Sequence, residues 1–303
     1  MKYVIKTKEL TKAYRNIPAV NKVNINVCKG DIYGLIGKNG AGKTTLMKMI
    51  CGLAKPTYGT LELFENDNLS EEWKRIGCMI EQPALYPDMT AKEHLIYYNK
   101  LMGIKGDSNI DEILELVGLS GTQNKKTKQF SLGMKQRLSI AIALLGYPDL
   151  LILDEPINGL DPTGIKEIRE LILRLNKERN ITIIISSHIL GELSKVATRY
   201  GVIEAGNLVE EFTNEELEQR CKTCIQIEVD DTKKATYVLD EIIHSKDYKV
   251  LDEKTIYVYD HLEEKRNINE QFVLNGVAVE KIDLVGQDLE MYFMELMGGR
   301  THV

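Results

Sequence analysis

The sequence has 303 residues, 43% of them hydrophobic and 28% charged, a balance ordinary for a folded globular protein and unlike collagen or a wholly disordered chain. At roughly 150 residues per domain, the length suggests one large or two medium domains. The 39 basic and 45 acidic residues leave a formal net charge of −6. That is opposite to the excess with which a protein grips a phosphate backbone, so no nucleic-acid partner is expected.

Residues 1–8 break their apolar character with lysines and lack the apolar stretch of a signal peptide. The most apolar runs, 150–153 and 181–185, are strand-length and far short of the roughly 18 residues that cross a bilayer. A cytoplasmic protein is expected, with any membrane role supplied by a partner. Val23, Ile25 and Val27 alternate with Asn24 and Asn26, which predicts one strand of an antiparallel region. A short apolar strand over 31–36 runs into a glycine-rich loop. A helix follows with Leu46, Met49, Ile50 and Leu53 on its apolar face, stopped by Gly52 and Pro56.

Residues 87–145 read as mainly helical, with Thr90 and Glu93 forming a capping box and a second helix over 111–117. Strands at 150–153 and 181–185, separated by a helix over 164–177, predict a parallel sheet. Composition shifts near Phe212, and Thr213 with Glu216 caps a short polar helix that reads as a linker. Next come a strand with Ile225, Ile227 and Val229 and a helix with Ala235, Val238, Leu239, Ile242 and Ile243 on one face. Strands over 248–251 and 255–259, a helix over 268–274 and a strand over 277–285 follow. A terminal helix carries Leu289, Tyr292, Phe293 and Leu296. That βαββαβ order suggests a small α+β domain of the ferredoxin-like kind. The expected division is therefore 1–215, with a helical subdomain at about 87–145, and a C-terminal accessory domain over 216–303.

The five cysteines, Cys28, Cys51, Cys78, Cys221 and Cys224, read as reduced thiols of a cytosolic protein. Cys221 and Cys224 have metal-like spacing but no second Cys/His pair to complete a site.

The loop Gly37-Lys38-Asn39-Gly40-Ala41-Gly42-Lys43-Thr44-Thr45 fits the phosphate-loop pattern G-x-x-x-x-G-K-[ST] and lies between a strand and a helix. Backbone N–H groups can approach a phosphate only where side chains are absent, and the helix N-terminus adds a favourable dipole. Lys43 is expected to reach the β- and γ-phosphates, and Thr44 to offer its hydroxyl to Mg²⁺. Strand 150–153 ends in Asp154 and Glu155, whose side chains alternate and so need not share a task. Asp154 suits Mg²⁺, directly or through water. Glu155 suits a general base on the attacking water.

In that order the motifs resemble the nucleotide-binding subunit of an ATP-binding cassette (ABC) transporter, over about 1–212. The resemblance implies an α/β P-loop NTPase cassette with a mixed sheet core, an antiparallel β region and a helical subdomain, acting as a Mg²⁺-dependent ATPase. Phe130-Ser131-Leu132-Gly133-Met134-Lys135-Gln136-Arg137 stands at the family's signature L-S-G-G-Q. Ser131 and Gly133 would then contact ATP held by a second cassette, an identical one in the simplest case. Leu132 and Met134 depart from that pattern.

Asn158-Gly159-Leu160-Asp161-Pro162 resembles the family's D-loop, with Asp161 at the dimer seam. His188 matches the switch histidine at the γ-phosphate. Tyr14 is placed either as the aromatic that stacks on adenine or as a half-buried strand tyrosine. The family's loop glutamine, counted back from Leu85-Tyr86-Pro87, falls on Glu81, with Gln82 adjacent as the alternative. A glutamate there resembles the ATPases of bacitracin-resistance and lantibiotic-immunity exporters and would place Glu81 near the metal and the catalytic centre. Transmembrane permease subunits are the implied partners. A soluble ABC protein acting on ribosomes or DNA is the alternative, which the single cassette and the charge balance disfavour.

Overall fold

The computed structural model describes residues 2–81, 84–107, 109–122, 124–221, 223–286, 292–293 and 296. They fall into two compact units, one of residues up to 214 with Leu296, the other of the described residues from 215 to 293.

In the first unit, an antiparallel sheet is built around the long strand β1 (Tyr3–Tyr14), which pairs with β2 (Ile17–Val23), β3 (Asn26–Cys28) and β5 (Tyr58–Leu63). The sequence predicts one strand through residues 23–27; the structure breaks it between β2 and β3. Thr7 bridges the break, its hydroxyl donating to Val23 O (2.9 Å) and accepting from the Ile25 N–H (2.8 Å). All three apolar residues of that pattern are still buried.

A second sheet has the order β10-β9-β4-β8-β7-β6, from strands β4 (Ile32–Ile36), β6 (Ile76–Met79), β7 (Leu150–Leu153), β8 (Thr182–Ser187), β9 (Arg199–Glu204) and β10 (Asn207–Thr213). Its pairings are parallel except β9–β10. β4, β7 and β8 are buried at every position, which is why they read as continuous apolar runs rather than alternating ones.

Helix α1 (Lys43–Ile50) lies between the sheets. Its Leu46, Met47, Met49 and Ile50 join one core with Ile5, Leu10 and Leu63 on one side and Leu35, Ile152 and Ile184 on the other. The helix stops at Ile50, so Leu53 lies beyond it and is exposed, not on a buried face.

Short helix α2 (Leu69–Glu72) precedes β6. Helices α3 (Ala91–Leu101), α4 (Ile110–Leu116) and α5 (Leu132–Ala143) fill the stretch expected to be helical, and both halves of the Thr90–Glu93 capping box form. Helix α6 (Pro162–Arg179) returns the chain between β7 and β8, and α7 (Leu190–Leu193) follows β8.

Helix α8 (Asn214–Arg220) begins on the last residue of the first unit, and the second continues with β11 (Cys224–Val229), α9 (Thr232–Val238), β12 (Tyr248–Val250), β13 (Thr255–Val258), α10 (Lys265–Leu274) and β14 (Val279–Val285). The strand order is β12-β13-β11-β14, all antiparallel. Its core joins Ile225 and Ile227 to Val238, Leu239, Ile268 and Phe272. Ile242 is exposed, contrary to the helical face read from the sequence. A π-helical turn over Leu239–Ile243 widens the spacing and rotates Ile242 outward while Ile243 stays buried. Of the terminal helix, Tyr292, Phe293 and Leu296 are helical and Phe293 is buried; Leu289 lies outside the described residues.

Candidate functional site

The carboxyl ends of β4, β8, β7 and β6 stand side by side, since these strands are consecutive in the parallel sheet. Each ends in a segment singled out in the sequence: the glycine-rich loop after β4, Asp154 and Glu155 after β7, His188 after β8, and Glu81 after β6. Ligands of open α/β sheets collect at this edge.

The loop over residues 37–42 leads into α1. Gly42 has φ 109°, and a side chain there would press on the Ala19 carbonyl oxygen, 2.4 Å from an added Cβ. Backbone crowding thus requires glycine at 42. Lys38, Asn39 and Gly40 face solvent, while Gly37, Ala41 and Lys43 are buried and Thr45 is half-buried. Lys43 curls back over the loop, its Nζ donating to Gly37 O (2.6 Å) and Lys38 O (3.2 Å).

Thr44 Oγ1 donates to Asp154 Oδ2 (2.6 Å), and Ser186 Oγ donates to Asp154 Oδ1 (2.6 Å). The same Ser186 hydroxyl accepts from the Glu155 N–H (2.8 Å), so one buried side chain of β8 fixes both acids of β7. Glu155 has φ 50°, outside the strand region, and this left-handed residue turns its carboxylate away from the line of Asp154. Its Oε2 lies 2.7 Å from His188 Nδ1. Its Oε1 is buried, takes part in no hydrogen bond and faces the Lys43 ammonium at 3.7 Å.

Glu81 is not brought to Thr44 and Asp154. Its carboxylate, 69% exposed, binds Lys48 Nζ one turn along α1 (2.6 Å), and that bond raises the Lys48 ammonium above its ordinary range. Gln82 lies outside the described residues. Tyr14 is 51% exposed at the end of β1, with the Lys12 ammonium 5.1 Å from its ring centre.

Ser131 N-caps α5, its hydroxyl accepting from the Met134 N–H (3.2 Å), and Asp161 N-caps α6 by accepting from the Gly164 N–H (3.0 Å). The two caps neighbour each other: the Leu132 side chain lies over Gly159 and that of Leu160 over Gly133.

Three participants were not read from the sequence. Ser186 stands two residues before His188 at the strand end, and Lys48 stands one helical turn after Thr44; those spacings were the available signals. His94 is the third. It is fully buried, with Nε2 accepting from the Tyr86 N–H (2.8 Å) and Nδ1 meeting Thr90 O (2.8 Å). Thr127 Oγ1 donates to Tyr86 O (2.6 Å), so the segment after Glu81 is tied to α3 and to the approach to α5.

Burial pushes the His94 pKa below its ordinary 6.5, and the Nε2 that accepts from Tyr86 has to stay unprotonated. The unfolded chain therefore takes up this proton first as pH falls. The stability contributed by the neutral ring is complete above about pH 6.5 and lost below it. The melting temperature of the parent is expected to fall more steeply between pH 7 and pH 5 than that of His94→Gln, whose amide both donates and accepts. Parallel slopes in paired melts would remove His94 from this role.

An oxygen-preferring cation fits the Thr44–Asp154 pair. A hydroxyl and a carboxylate share one hydrogen bond at the phosphate loop, the sparse donor set of a Mg²⁺ site completed by phosphates and water. Among the described residues no group of three His, Cys, Asp or Glu side chains could hold a metal. Nor is any helix among them long and apolar enough to cross a membrane.

The family model for ABC transporters matches residues 20–158. The chain is 47% identical to the bacitracin transport ATP-binding protein BcrA of Bacillus licheniformis, over 99% of both chains. It is 44% identical to the lantibiotic transport ATP-binding protein SrtF of Streptococcus pyogenes, over 68% of this chain and 89% of that one. Among solved structures, the ATP-binding cassette MJ0796, a dimer in a post-hydrolysis state bound to ADP and Pi, superposes with a TM-score of 0.61 at 28% identity, over 69% of this chain and 98% of that one. With these motifs assembled at one sheet edge, and a relative of this identity matching end to end, the chain belongs to the ABC transporter family as one of its ATP-binding subunits.

Proposed function

We propose that this subunit hydrolyses ATP to drive transmembrane partners that export a peptide antibiotic of the bacitracin or lantibiotic kind. The observation that carries the hydrolytic reading is Glu155 Oε1, a buried carboxylate oxygen without a hydrogen bond beside the phosphate loop. His188 occupies the other oxygen, so Oε1 is the atom that accepts the proton of the attacking water. Lys43 exchanges its two loop carbonyls for the β- and γ-phosphates, and the amides of residues 38–44 cradle the phosphate chain. Thr44 and Asp154 hold Mg²⁺, which when bound supplies positive charge to the phosphate oxygens. Tyr14 offers its exposed ring to adenine.

ATP is closed from the other side by a second copy, whose Ser131 and Gly133 at the α5 N-terminus meet the γ-phosphate and whose Asp161 lies at the seam. The dimeric cassette of MJ0796 supports this arrangement. The work is done at the inner face of the membrane through permease subunits. The antibiotic reading rests on the names of BcrA and SrtF and on Glu81. In the same reading residues 216–303 are an accessory domain of the ferredoxin-like kind, supported by the βαββαβ order and the strand order of the second sheet.

Glu81 separates the exporter reading from the general family. Its ion pair with Lys48 is exposed and worth at most about 1 kcal/mol, so substitutions there should leave the fold intact. With the membrane partners present, Glu81→Gln should keep most ATPase activity, because an amide oxygen can still turn to the metal once the loop leaves Lys48, while antibiotic protection drops. Glu81→Ala should lower both, and Gln82→Ala should be mild. If Gln82→Ala is crippling and Glu81→Ala silent, the loop residue is Gln82 and the antibiotic assignment loses its sequence support.

A further inference from the structure

The sheet of the second unit, in the order β12-β13-β11-β14, has two edges of unequal length. β12 has three residues, whereas β14 runs for seven, Val279–Val285. Among the described residues no strand pairs with the outer side of β14. Alternate residues of such a strand direct their N–H and C=O groups away from the sheet, and a long bare edge is where a further strand adds. Helices α9 and α10 both pack on the face that carries Ile225 and Ile227. Lys281 and Asp283 stand opposite Glu228 and Gln226, and so lie on the other face.

The charges on that face choose a partner. Lys281 and Asp283 have half-exposed side chains that lie 3.5 Å apart, and Lys265 of α10 approaches Asp283 at the same distance. A lone lysine at an edge deters pairing. Here the opposite charge sits two residues away, and Ile282, the midpoint of β14, lies between them. Two antiparallel copies of β14 that overlap along their whole length are centred on Ile282. In that register Lys281 stands opposite the partner subunit's Asp283, and Asp283 opposite the partner subunit's Lys281. Unlike charges directly opposite each other stabilise a strand pair and like charges oppose it, so centring on Lys281 or Asp283 instead is disfavoured. Glu280 has no partner in the ladder with β11 and forms a bulge, which leaves 281–285 as the regular stretch around these charges. Leu284, 55% exposed at the same edge, loses water when a strand arrives.

We propose that β14 is a self-complementary docking edge through which two copies of this chain join in the absence of nucleotide. The joint makes one continuous antiparallel sheet from the two four-stranded ones, with the helices of both copies on one face. Its two-fold axis passes through Ile282 and closes the assembly at two copies. Lysine and aspartate meet twice, once on each side of the axis. The edge neither binds nor needs ATP, so the proposal stands apart from the hydrolytic reading. What it adds to that reading is persistence. Two cassettes whose C-terminal units stay joined meet again at an effective concentration set by the connecting chain, not by dilution.

The test uses the full chain without nucleotide, at low ionic strength so that surface charges are little screened, followed by sedimentation equilibrium over a range of concentrations. The parent should show a monomer–dimer equilibrium. Lys281→Asp sets four carboxylates around the axis, and Asp283→Lys four ammonium groups. Each variant alone should weaken the dimer about tenfold or more, since two pairs turn from attraction to repulsion. Mixed in equal amounts, the two variants should combine with each other as the parent does with itself. The double variant Lys281→Asp/Asp283→Lys should again pair with itself. Circular dichroism checks that each variant is folded. Should Lys281→Asp, now opposite Glu228, fail that check, Leu284→Glu decides instead: it sets an acid in the seam from an exposed position and should weaken the dimer likewise. A parent that is monomeric throughout would overturn the proposal. So would a dimer that none of the folded variants weakens, or folded single variants that do not combine on mixing. A dimer that forms only when ATP is added would support closure of the cassettes and count against this edge.

Discussion

Glu155→Gln should bind MgATP as the parent does and turn it over about 10²–10⁴-fold more slowly, the usual cost of removing a general base. The substitution is nearly isosteric, and the backbone turn at φ 50° can persist. An amide can still meet His188 through one atom. It cannot take a proton at the position of Oε1, which is buried and without a hydrogen bond. Binding should survive because Lys43 and the loop amides are untouched, and losing the 3.7 Å pairing with Glu155 leaves the ammonium free to exchange its loop carbonyls for phosphate. With closure intact and hydrolysis stalled, the variant should accumulate as an ATP-bound dimer. Single-turnover hydrolysis together with size-exclusion chromatography in ATP checks both halves. Near-normal hydrolysis would remove Glu155 from its role, and a variant unable to bind would show that the carboxylate is structural.

Lys43→Ala should act on the other quantity. A charge-assisted hydrogen bond is worth about 1.5–3 kcal/mol, so losing the ammonium should weaken MgATP binding about ten- to hundredfold. The side chain is buried and also holds the loop through Gly37 O and Lys38 O, so part of the loss will come from a less ordered loop. Lys43→Arg separates the two: it keeps the charge and spoils the fit, because a planar fork does not replace a compact ammonium. Calorimetric titration with MgATP, with circular dichroism as a fold check, is the measurement. If Lys43→Ala binds MgATP as tightly as the parent, residues 37–44 do not cradle the phosphates.

The catalytic edge was legible where chemistry sits at the end of a strong local pattern. The loop at 37–45 and the acids at 154 and 155 each follow an apolar strand, and no partner is needed to see them. Ser186, Lys48 and His94 were missed because their roles exist only across strands or segments far apart in sequence: β8 beside β7, α1 beside β6, α3 against the loop at Tyr86. Strand β6 itself left little signal, being four residues long with Gly77 and Cys78 at its centre. Strands β9 and β10 were likewise absorbed unread into the end of the first domain. Periodicity misled at helix ends, where Leu53 lies past the C-cap of α1 and Ile242 is turned outward by the π-turn. Glu81 was visible as a residue type, but its partner was not, since nothing local announces that Lys48 will hold it.

Glu155 and Glu81 share one backbone property: both occupy the left-handed region, at φ 50° and 63°, where a side chain with a Cβ sits poorly. Residues held there cost of order 1–3 kcal/mol each. Backbone geometry alone would favour glycine or asparagine at both places. On the proposed roles of Glu155 in hydrolysis and Glu81 in coupling, the fold would discard both if turnover and coupling ceased to matter. In a lineage that kept this cassette as a scaffold, drift would reach positions 81 and 155 early and make the protein more stable as it did so. Gly37 and Gly42, pressed against the Ile203 and Ala19 carbonyls, would persist for steric reasons. An intact phosphate loop would then be a poor sign of a working enzyme, and glutamates surviving at both 81 and 155 a much better one.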